Sequence, residues 1–246
     1  MIFQLPVITG ILERRILLNY SLDPEYLKKF LPAPFKPRLF NGVGVGGICM
    51  IRFAGLRPKF VPTFLGIDSE NAAHRIAIEW EIKGQKFEGV YIPKRNTASQ
   101  FNYLTGGRIF PGIFQMSQFD VNEQGDNYQL RITPKEQNQH LVDFRGEVSQ
   151  HLSASSIFPD LKIASDFLAK GAIGYSLFAD KTHSQGMELR MLDWDIQAMN
   201  IKKASVHLFE DSLSFPNGTA RLDSAMLMKN LRHEWHRIPE IPASLI

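Results

Sequence analysis

Apolar and polar residues alternate along most of the chain with the period of a β-strand. In IAIEWEI, residues 76–82, isoleucine or tryptophan occupies every second position. The turn Lys83-Gly84-Gln85 leads into KFEGVYI, residues 86–92, and a short turn between two such runs predicts an antiparallel hairpin. Further strands are predicted in QFDVN, YQLRIT, LVDFRGEVS, MELRMLDWDIQAMNI and ASVHLFED.

Two segments have the period of a helix instead. In DPEYLKKFLP, Asp23 can cap a helix that accepts Pro24 in its first turn and ends at Pro32. In PDLKIASDFLAKG, Gly171 can close a second helix. Its predicted inward residues are Leu161, Ile163, Ala164, Phe167 and Leu168. Because helices do not alternate with strands, we predict an α+β fold, predominantly antiparallel β, curled into a barrel or cone. A single domain is expected over residues 1–246.

Composition and charge exclude several classes of function. The 28 basic and 25 acidic residues are spread evenly, whereas nucleic-acid binding usually needs a concentrated basic stripe. The longest nearly uncharged stretch, residues 42–51, is far shorter than a membrane helix, and the first ten residues lack signal-peptide features. We therefore expect a cytoplasmic protein with no nucleic-acid or membrane partner. The single cysteine, Cys49, excludes internal disulfides and a cysteine-cluster metal site.

Two motifs resemble ligand sites but lack the required context. GVGVGG, residues 42–47, fits a dinucleotide-binding glycine pattern, yet an apolar strand follows it rather than a helix. These glycines are interpreted as allowing close approach of the backbone. In HEWH, residues 233–236, the histidines are three positions apart, whereas zinc motifs of this type need four. We expect a packing or surface role there, with no metal and no cofactor.

The segment DSENAAHRIAIEWE, residues 68–81, carries the most candidate chemistry. On an open sheet Glu79 and Glu81 would face water. In a closed barrel they could line a cavity, where burial and neighbouring charges shift pKa values. His74 would titrate near neutrality if it faced such a pocket. Both arrangements remain open from the sequence.

Several motifs together resemble a known family. They are SENAAHRIAIEWE, GVYIPKRNTASQFNYLTGGRIFPGIF, DFLAKGAIGYS, FPNG and LDSAMLMKNLRHEWH. The combination is similar to an uncharacterised bacterial domain-of-unknown-function family grouped with the acetoacetate decarboxylase-like superfamily. The resemblance covers nearly the whole chain. It implies a mostly antiparallel barrel or cone around a small-molecule pocket, often in homo-oligomers.

The resemblance also raises the question of a reactive lysine. In the decarboxylase, a lysine of a Tyr-Pro-Lys-Lys element forms a Schiff base with a β-keto acid, activated by a neighbouring cation. By letters, Ile92-Pro93-Lys94-Arg95 matches this element, with Lys94 as nucleophile and Arg95 as the cation. By context, Gly107-Arg108-Ile109-Phe110-Pro111 matches better, and Gly112 and Ile113 then replace both lysines. We favour the second placement.

The surroundings of Lys94 support that choice. Lys94 precedes the polar stretch Asn96-Thr97-Ala98-Ser99, where solvent would hold its pKa near the ordinary value of ~10.4. We expect Arg95 to be exposed as well, where it cannot correct this, because water and salt screen the repulsion between the two cations.

The remaining site residues are implied by the resemblance. Arg108 and Glu79 are candidates for carboxylate binding and acid–base work. The candidate substrate-binding residues are Glu70, His74, Arg75, Arg95 and Phe110. Arg108, Glu79 and His74 could each instead belong to an ordinary ion pair on a barrel strand. Three functions remain: an enzyme acting on a carbonyl or carboxylate compound without a Schiff base, a non-catalytic binder of a metabolite or lipid-like ligand, and a Lys94 Schiff-base decarboxylase or aldolase.

Overall fold

A computed structural model describes residues 6–105, 110–137, 139–178 and 183–242. The strands are β1 (Ile8–Leu22), β2 (Lys36–Pro37), β3 (Leu39–Phe40), β4 (Val43–Pro58), β5 (Ile67–Ile82), β6 (Gln85–Tyr91), β7 (Arg95–Thr97), β8 (Phe114–Gln124), β9 (Asn127–Pro134), β10 (Val142–Ser149), β11 (Ile173–Leu177), β12 (His183–Met191), β13 (Gln197–Val206) and β14 (Ala220–Pro242). The helices are α1 (Pro24–Phe30), α2 (Gln100–Thr105), α3 (Leu161–Ala169) and α4 (His207–Glu210). Two 3-10 turns cover Thr63–Leu65 and Lys170–Ala172.

The strands form one 14-stranded sheet whose pairings close into two rings. The first ring runs β14–β1–β4–β5–β6–β11–β12 and returns to β14. The second ring runs β14–β1–β4–β5–β7–β8–β9–β10–β13 and returns to β14. Among the described residues, pairing is antiparallel except between β6 and β11 and between β7 and β8. The predicted α+β fold with a mainly antiparallel sheet is confirmed.

Strands β1, β4, β5 and β14 form a wall shared by both rings. Each contains a run of consecutive buried residues, at 16–20, 44–50, 71–78 and 223–228. Successive side chains of a strand point to opposite faces, so an unbroken buried run means that both faces are covered. Leu17 and Cys49 accordingly pack in one hydrophobic cluster, whereas Ile16 and Met50 pack in another.

The glycine-rich run of β4 serves this shared wall. Gly47 pairs with Asn19 of β1, and a Cβ on Gly47 would overlap the carbonyl oxygen of Leu18. The run is a strand rather than a phosphate-binding turn, as its sequence context predicts.

The predicted hairpin is present between β5 and β6. Its pairing extends from Ile76 with Tyr91 to Ile82 with Gln85. The turn itself contains only Lys83 and Gly84, with φ values of 52° and 80°. Two consecutive positive φ values are typical of the turn that matches the twist of a tight hairpin.

Both predicted helices form, each with an aspartate cap. The Asp23 side chain accepts a hydrogen bond from the backbone nitrogen of Glu25, and Asp160 accepts one from that of Ile163, both at 2.8 Å. The prediction that Ile163 points inward is wrong, because it is exposed. The inward stripe of α3 includes Ser165, whose hydroxyl accepts a bond of 2.7 Å from the indole nitrogen of Trp194.

Two strand predictions do not hold over their full length. MELRMLDWDIQAMNI is divided between β12 and β13, because these strands pair with different parts of β14. Within ASVHLFED, β13 ends at Val206 and α4 follows directly. Phe209 of α4 stacks on Tyr20 with ring centroids 4.5 Å apart. Among the described residues, no helix has the length and apolar character needed to cross a membrane.

Candidate functional site

A cavity of about 70 Å³ lies within the first ring. Every strand of that ring contributes to its wall, and residues from β7, α2 and β8 complete the lining. The polar and charged lining residues are Arg15, Cys49, Asn71, Arg75, Arg95, Asn96 and Asn102. The other lining residues are apolar or glycine, and include Phe53, Phe110, Phe114, Leu189 and Trp235.

The charges in this lining all have the same sign. Arg15, Arg75 and Arg95 contribute guanidinium groups, and none of the described lining residues is a carboxylate. Buried charges usually have a paired counter-ion, because removing an ion from water is costly. An apolar cavity with three arginines is therefore suited to an anionic ligand.

Arg75 is the most deeply placed of the three, with 5% of its surface exposed. One terminal nitrogen donates a hydrogen bond to the side-chain oxygen of Asn19, while its Nε has no partner. Burial lowers the pKa of Arg75, and the neighbouring Cys49 partly opposes this effect. The guanidinium thus has remaining capacity to donate a hydrogen bond.

Arg95 connects the two proline motifs identified in the sequence. Its Nε donates a 2.8 Å hydrogen bond to the carbonyl oxygen of Pro111, and its terminal nitrogen lies 3.5 Å from the hydroxyl of Ser176. Burial lowers the pKa of Arg95 to about 10. The expectation that Arg95 is exposed is therefore wrong, because the second motif holds it in the cavity wall.

Cys49 lies between the arginines and is 4% exposed. A terminal nitrogen of Arg15 is 3.8 Å from its Sγ. Burial alone would raise the pKa of the thiol, but Arg15 and Arg75 together outweigh burial and lower it. The sequence interpretation missed Arg15 and Cys49 as site residues. The one available signal for Arg15 was its charge directly before the apolar run of β1.

The predicted site residues divide into two groups. Arg75, Arg95 and Phe110 meet at the cavity, where Phe110 lies edge-on to Trp235 with ring centroids 6.1 Å apart. The predicted residues outside the cavity lining are Glu70, His74, Glu79 and Lys94. Arg108 lies outside the described residues.

Glu79 is exposed to solvent near the end of β5. Both Glu79 and Glu81 are exposed, in a part of β5 that pairs with β2 and β6. Successive residues of a strand alternate between its two faces, so Glu79 lies on the same face as Arg75, but it is four residues beyond Arg75, the last lining residue of β5. The structure therefore does not place Glu79 where it could act on a ligand in the cavity.

Glu70 belongs to a compact ion-pair cluster elsewhere. Arg14, 1% exposed, forms ion pairs with both Glu70 and Glu123, and Arg52 reaches Glu70 at 2.7 Å and Glu123 at 3.3 Å. Two arginines and two glutamates balance within this group. The balanced charges indicate a structural role for Glu70.

His74 points away from the cavity, on the opposite face of β5 from Arg75. Its ring lies 6.3 Å from that of Phe209, and neither ring nitrogen has a hydrogen-bond partner. Burial lowers the pKa of His74 to about 3, and the positive charge of Lys94 adds to the effect. His74 therefore does not meet the condition for titration near neutrality, which was a position in the pocket.

The two placements of the lysine element have different environments. Lys94 is half-buried and burial lowers its pKa, so the expectation that solvent maintains the ordinary value is wrong. Its side chain is nevertheless not part of the cavity lining. At the other placement, Gly112 has a φ of 90°, and a Cβ there would come within 2.8 Å of Ser176. That position has no room for a lysine side chain.

The described residues contain no group of three or more histidine, cysteine, aspartate or glutamate side chains able to hold a metal ion. In the HEWH motif, His233 is buried, with its ring 5.3 Å from Phe53 and 6.3 Å from Trp235. His236 instead contacts Glu234 at 2.9 Å. These contacts agree with a packing role for the motif.

Comparison with known proteins places this geometry in context. The family DUF2071, with the description "Uncharacterized conserved protein", matches residues 11–224. Acetoacetate decarboxylase from Legionella pneumophila subsp. pneumophila str. Philadelphia 1 superposes with a TM-score of 0.62 at 11% identity, covering 95% of this chain and 87% of that one. A search of curated proteins found no match.

Two further structures have the same fold. The enduracididine biosynthesis enzyme MppR, complexed with pyruvate, gives a TM-score of 0.61 at 9% identity, covering 99% of this chain and 92% of its own. An acetoacetate decarboxylase-like enzyme from Sphingomonas wittichii RW1 gives a TM-score of 0.56 at 12% identity, covering 96% of this chain and 93% of its own. At these identities the likeness establishes the fold alone.

Proposed function

The chain belongs to the DUF2071 family and has the acetoacetate decarboxylase-like fold, and we propose that its cavity binds a small carboxylate such as a 2-oxo acid. On this proposal the protein acts on the bound carbonyl or carboxylate compound without a Schiff-base lysine. The observation that carries the proposal is the set of three arginines in a cavity whose described lining has no carboxylate.

An anionic ligand would reduce the free-energy cost of burying the charged arginines. Arg75 and Arg95 keep their charges in a setting where burial lowers both pKa values. A carboxylate accepts paired hydrogen bonds from a guanidinium and supplies the missing negative charge. The free energy of binding therefore includes compensation of guanidinium charges that have no carboxylate partner among the described lining residues.

The size of the cavity favours a small ligand. A volume of about 70 Å³ corresponds to on the order of five buried water molecules. Pyruvate has six heavy atoms in its carbon and oxygen skeleton, roughly this size. The related fold of MppR in complex with pyruvate supports the same class of compound.

The mostly apolar walls also favour a second candidate, a non-catalytic binder of the same class of compound. The two candidates differ only in turnover. Incubation with pyruvate or acetoacetate, followed by NMR of the solution, would give new product signals for an enzyme and unchanged ligand for a binder.

Binding is tested by thermal unfolding with oxamate, a stable 2-oxo acid isostere, and with oxamide, its neutral counterpart. Oxamate at a hundredfold excess over its Kd is expected to raise the Tm by roughly 5–10 °C. Oxamide is expected to have little effect, because it cannot neutralise the arginines. Equal effects of the two compounds, or no effect of either, would contradict the proposal.

A second prediction concerns Lys94. Acetoacetate with borohydride is expected to leave the native protein without a covalent adduct, because Lys94 is not among the residues lining the cavity. Intact-protein mass spectrometry provides the measurement, with Lys94→Ala as the control. A stoichiometric adduct that maps to Lys94 and disappears in that variant would establish the Schiff-base function instead.

A further inference from the structure

We propose that Cys49 is a nucleophile that adds reversibly to the carbonyl carbon of the bound oxo acid, forming a hemithioacetal or hemithioketal. The proposal rests on the carboxylate-binding function above and assigns the reacting group that the cavity supplies. Cys49 is the only cysteine of the chain, and its thiol lines the same cavity as the three arginines.

The position of Cys49 is the first support. Arg15 lies 3.8 Å from the Sγ, and Arg75 is also in contact with the thiol. Nearby cations favour the thiolate, the reactive form of cysteine, over the neutral thiol. The same guanidiniums would hold a carboxylate, so one set of cations can bring the nucleophile and its substrate together.

Unpaired polar atoms around the cavity provide independent support for a ligand there. The Nε of Arg75 and the Oδ1 of Asn96 have no hydrogen-bond partner, although Arg75 is 5% exposed and Asn96 is fully buried. Buried polar groups are nearly always paired, and exceptions occur at functional sites. Both residues belong to the lining that contains Cys49. The Nε of Arg75 can donate a hydrogen bond to an oxygen of a bound oxo acid, and the Oδ1 of Asn96 can accept one from the hydroxyl of the Cys49 adduct.

The chemical step balances without an additional reagent. The thiolate electron pair forms a bond from Sγ to the carbonyl carbon, and the π pair of the carbonyl moves onto its oxygen. A neighbouring guanidinium stabilises the resulting alkoxide, which takes up the proton that the thiol gave to water when it ionised. The S–H bond is thus replaced by an O–H bond, no group is oxidised or reduced, and the reverse step restores the thiol and releases the intact oxo acid.

Two alkylating reagents of similar size test the environment of the thiol. Iodoacetate carries a carboxylate, and iodoacetamide is its neutral counterpart. The ratio of the iodoacetate rate to the iodoacetamide rate is expected to be at least about tenfold higher in native than in urea-unfolded protein. Arg75→Met should reduce the native ratio, whereas Arg221→Met, which changes an exposed arginine, should not. A native ratio no greater than the unfolded ratio would overturn the proposal.

The covalent step is tested with carbon-13-labelled glyoxylate, whose aldehyde adds readily to thiols. A new signal from a protein-bound hemithioacetal carbon is expected in NMR of the native protein, absent from Cys49→Ala and displaced by oxamate. If oxamate stabilises the protein but glyoxylate gives no such signal, the nucleophile is disproved and the carboxylate site stands. If oxamate has no effect, the carboxylate site itself fails, and this proposal fails with it.

Discussion

Replacing Arg75 with methionine is expected to stabilise the free protein by about 1–3 kcal/mol and to remove its stabilisation by oxamate. Arg75 is a buried cation that contacts no carboxylate of the described residues, and burial lowers its pKa by more than the neighbouring Cys49 raises it. At pH 7 the folded state must therefore keep an unfavourable charge, and methionine of similar length removes it. Urea unfolding with and without oxamate measures both effects.

The matched control is Arg221→Met, because Arg221 is exposed and outside the cavity lining. It should change the free energy of unfolding by no more than about 0.5 kcal/mol and leave the oxamate effect intact. An Arg75→Met protein that is less stable than the native chain and still responds to oxamate would show that Arg75 is structural.

Acidification between pH 6.5 and about 4 is expected to lower the free energy of unfolding by up to about 1.4 kcal/mol per pH unit for each of two histidines. Burial lowers the pKa of His74 to about 3 and that of His233 to about 4, from 6.5 in the unfolded chain. In this window the unfolded state binds protons that the folded state does not. Stability is therefore highest above pH 6.5 and is lost as the pH falls towards the folded-state values.

Urea unfolding at half-unit pH intervals measures the slope of the free energy of unfolding against pH. Substituting His74→Leu removes one of the two groups and should reduce the slope by about half, because His233 remains. Lys94 lies near His74 and Arg15 near His233, and the positive charge of each lowers the pKa of the neighbouring histidine further. A slope that His74→Leu leaves unchanged would show that other groups cause the acid sensitivity.

Local patterns predicted the elements that local contacts determine. The alternation around Lys83-Gly84 predicted the hairpin, the Asp23 cap predicted α1, and the helical period closed by Gly171 predicted α3. The shared wall could not be predicted in this way, because its buried runs depend on distant pairings such as Leu12 with Leu231. A consecutive apolar run indicates that both faces are covered but not by which strands.

The dependence on distant strand pairings also explains which site residues could be identified from the sequence. Arg75 and Arg95 lie in the motifs that carry the family resemblance, and both reach the cavity. Arg15 and Cys49 lie in β1 and β4, where only ring closure determines which face is inward. Alternation gave Glu79 the correct face but could not show that β5 continues beyond the cavity. His74 was misjudged because the second ring provides another buried face.

The most direct test of the account is a crystal structure of the protein grown with oxamate. The account predicts density for the compound inside the first ring, with its carboxylate within hydrogen-bond distance of Arg75 or Arg95 and its carbonyl carbon facing the Sγ of Cys49. Oxamate bound only outside this ring, or a cavity without ligand density at saturating oxamate, would contradict it.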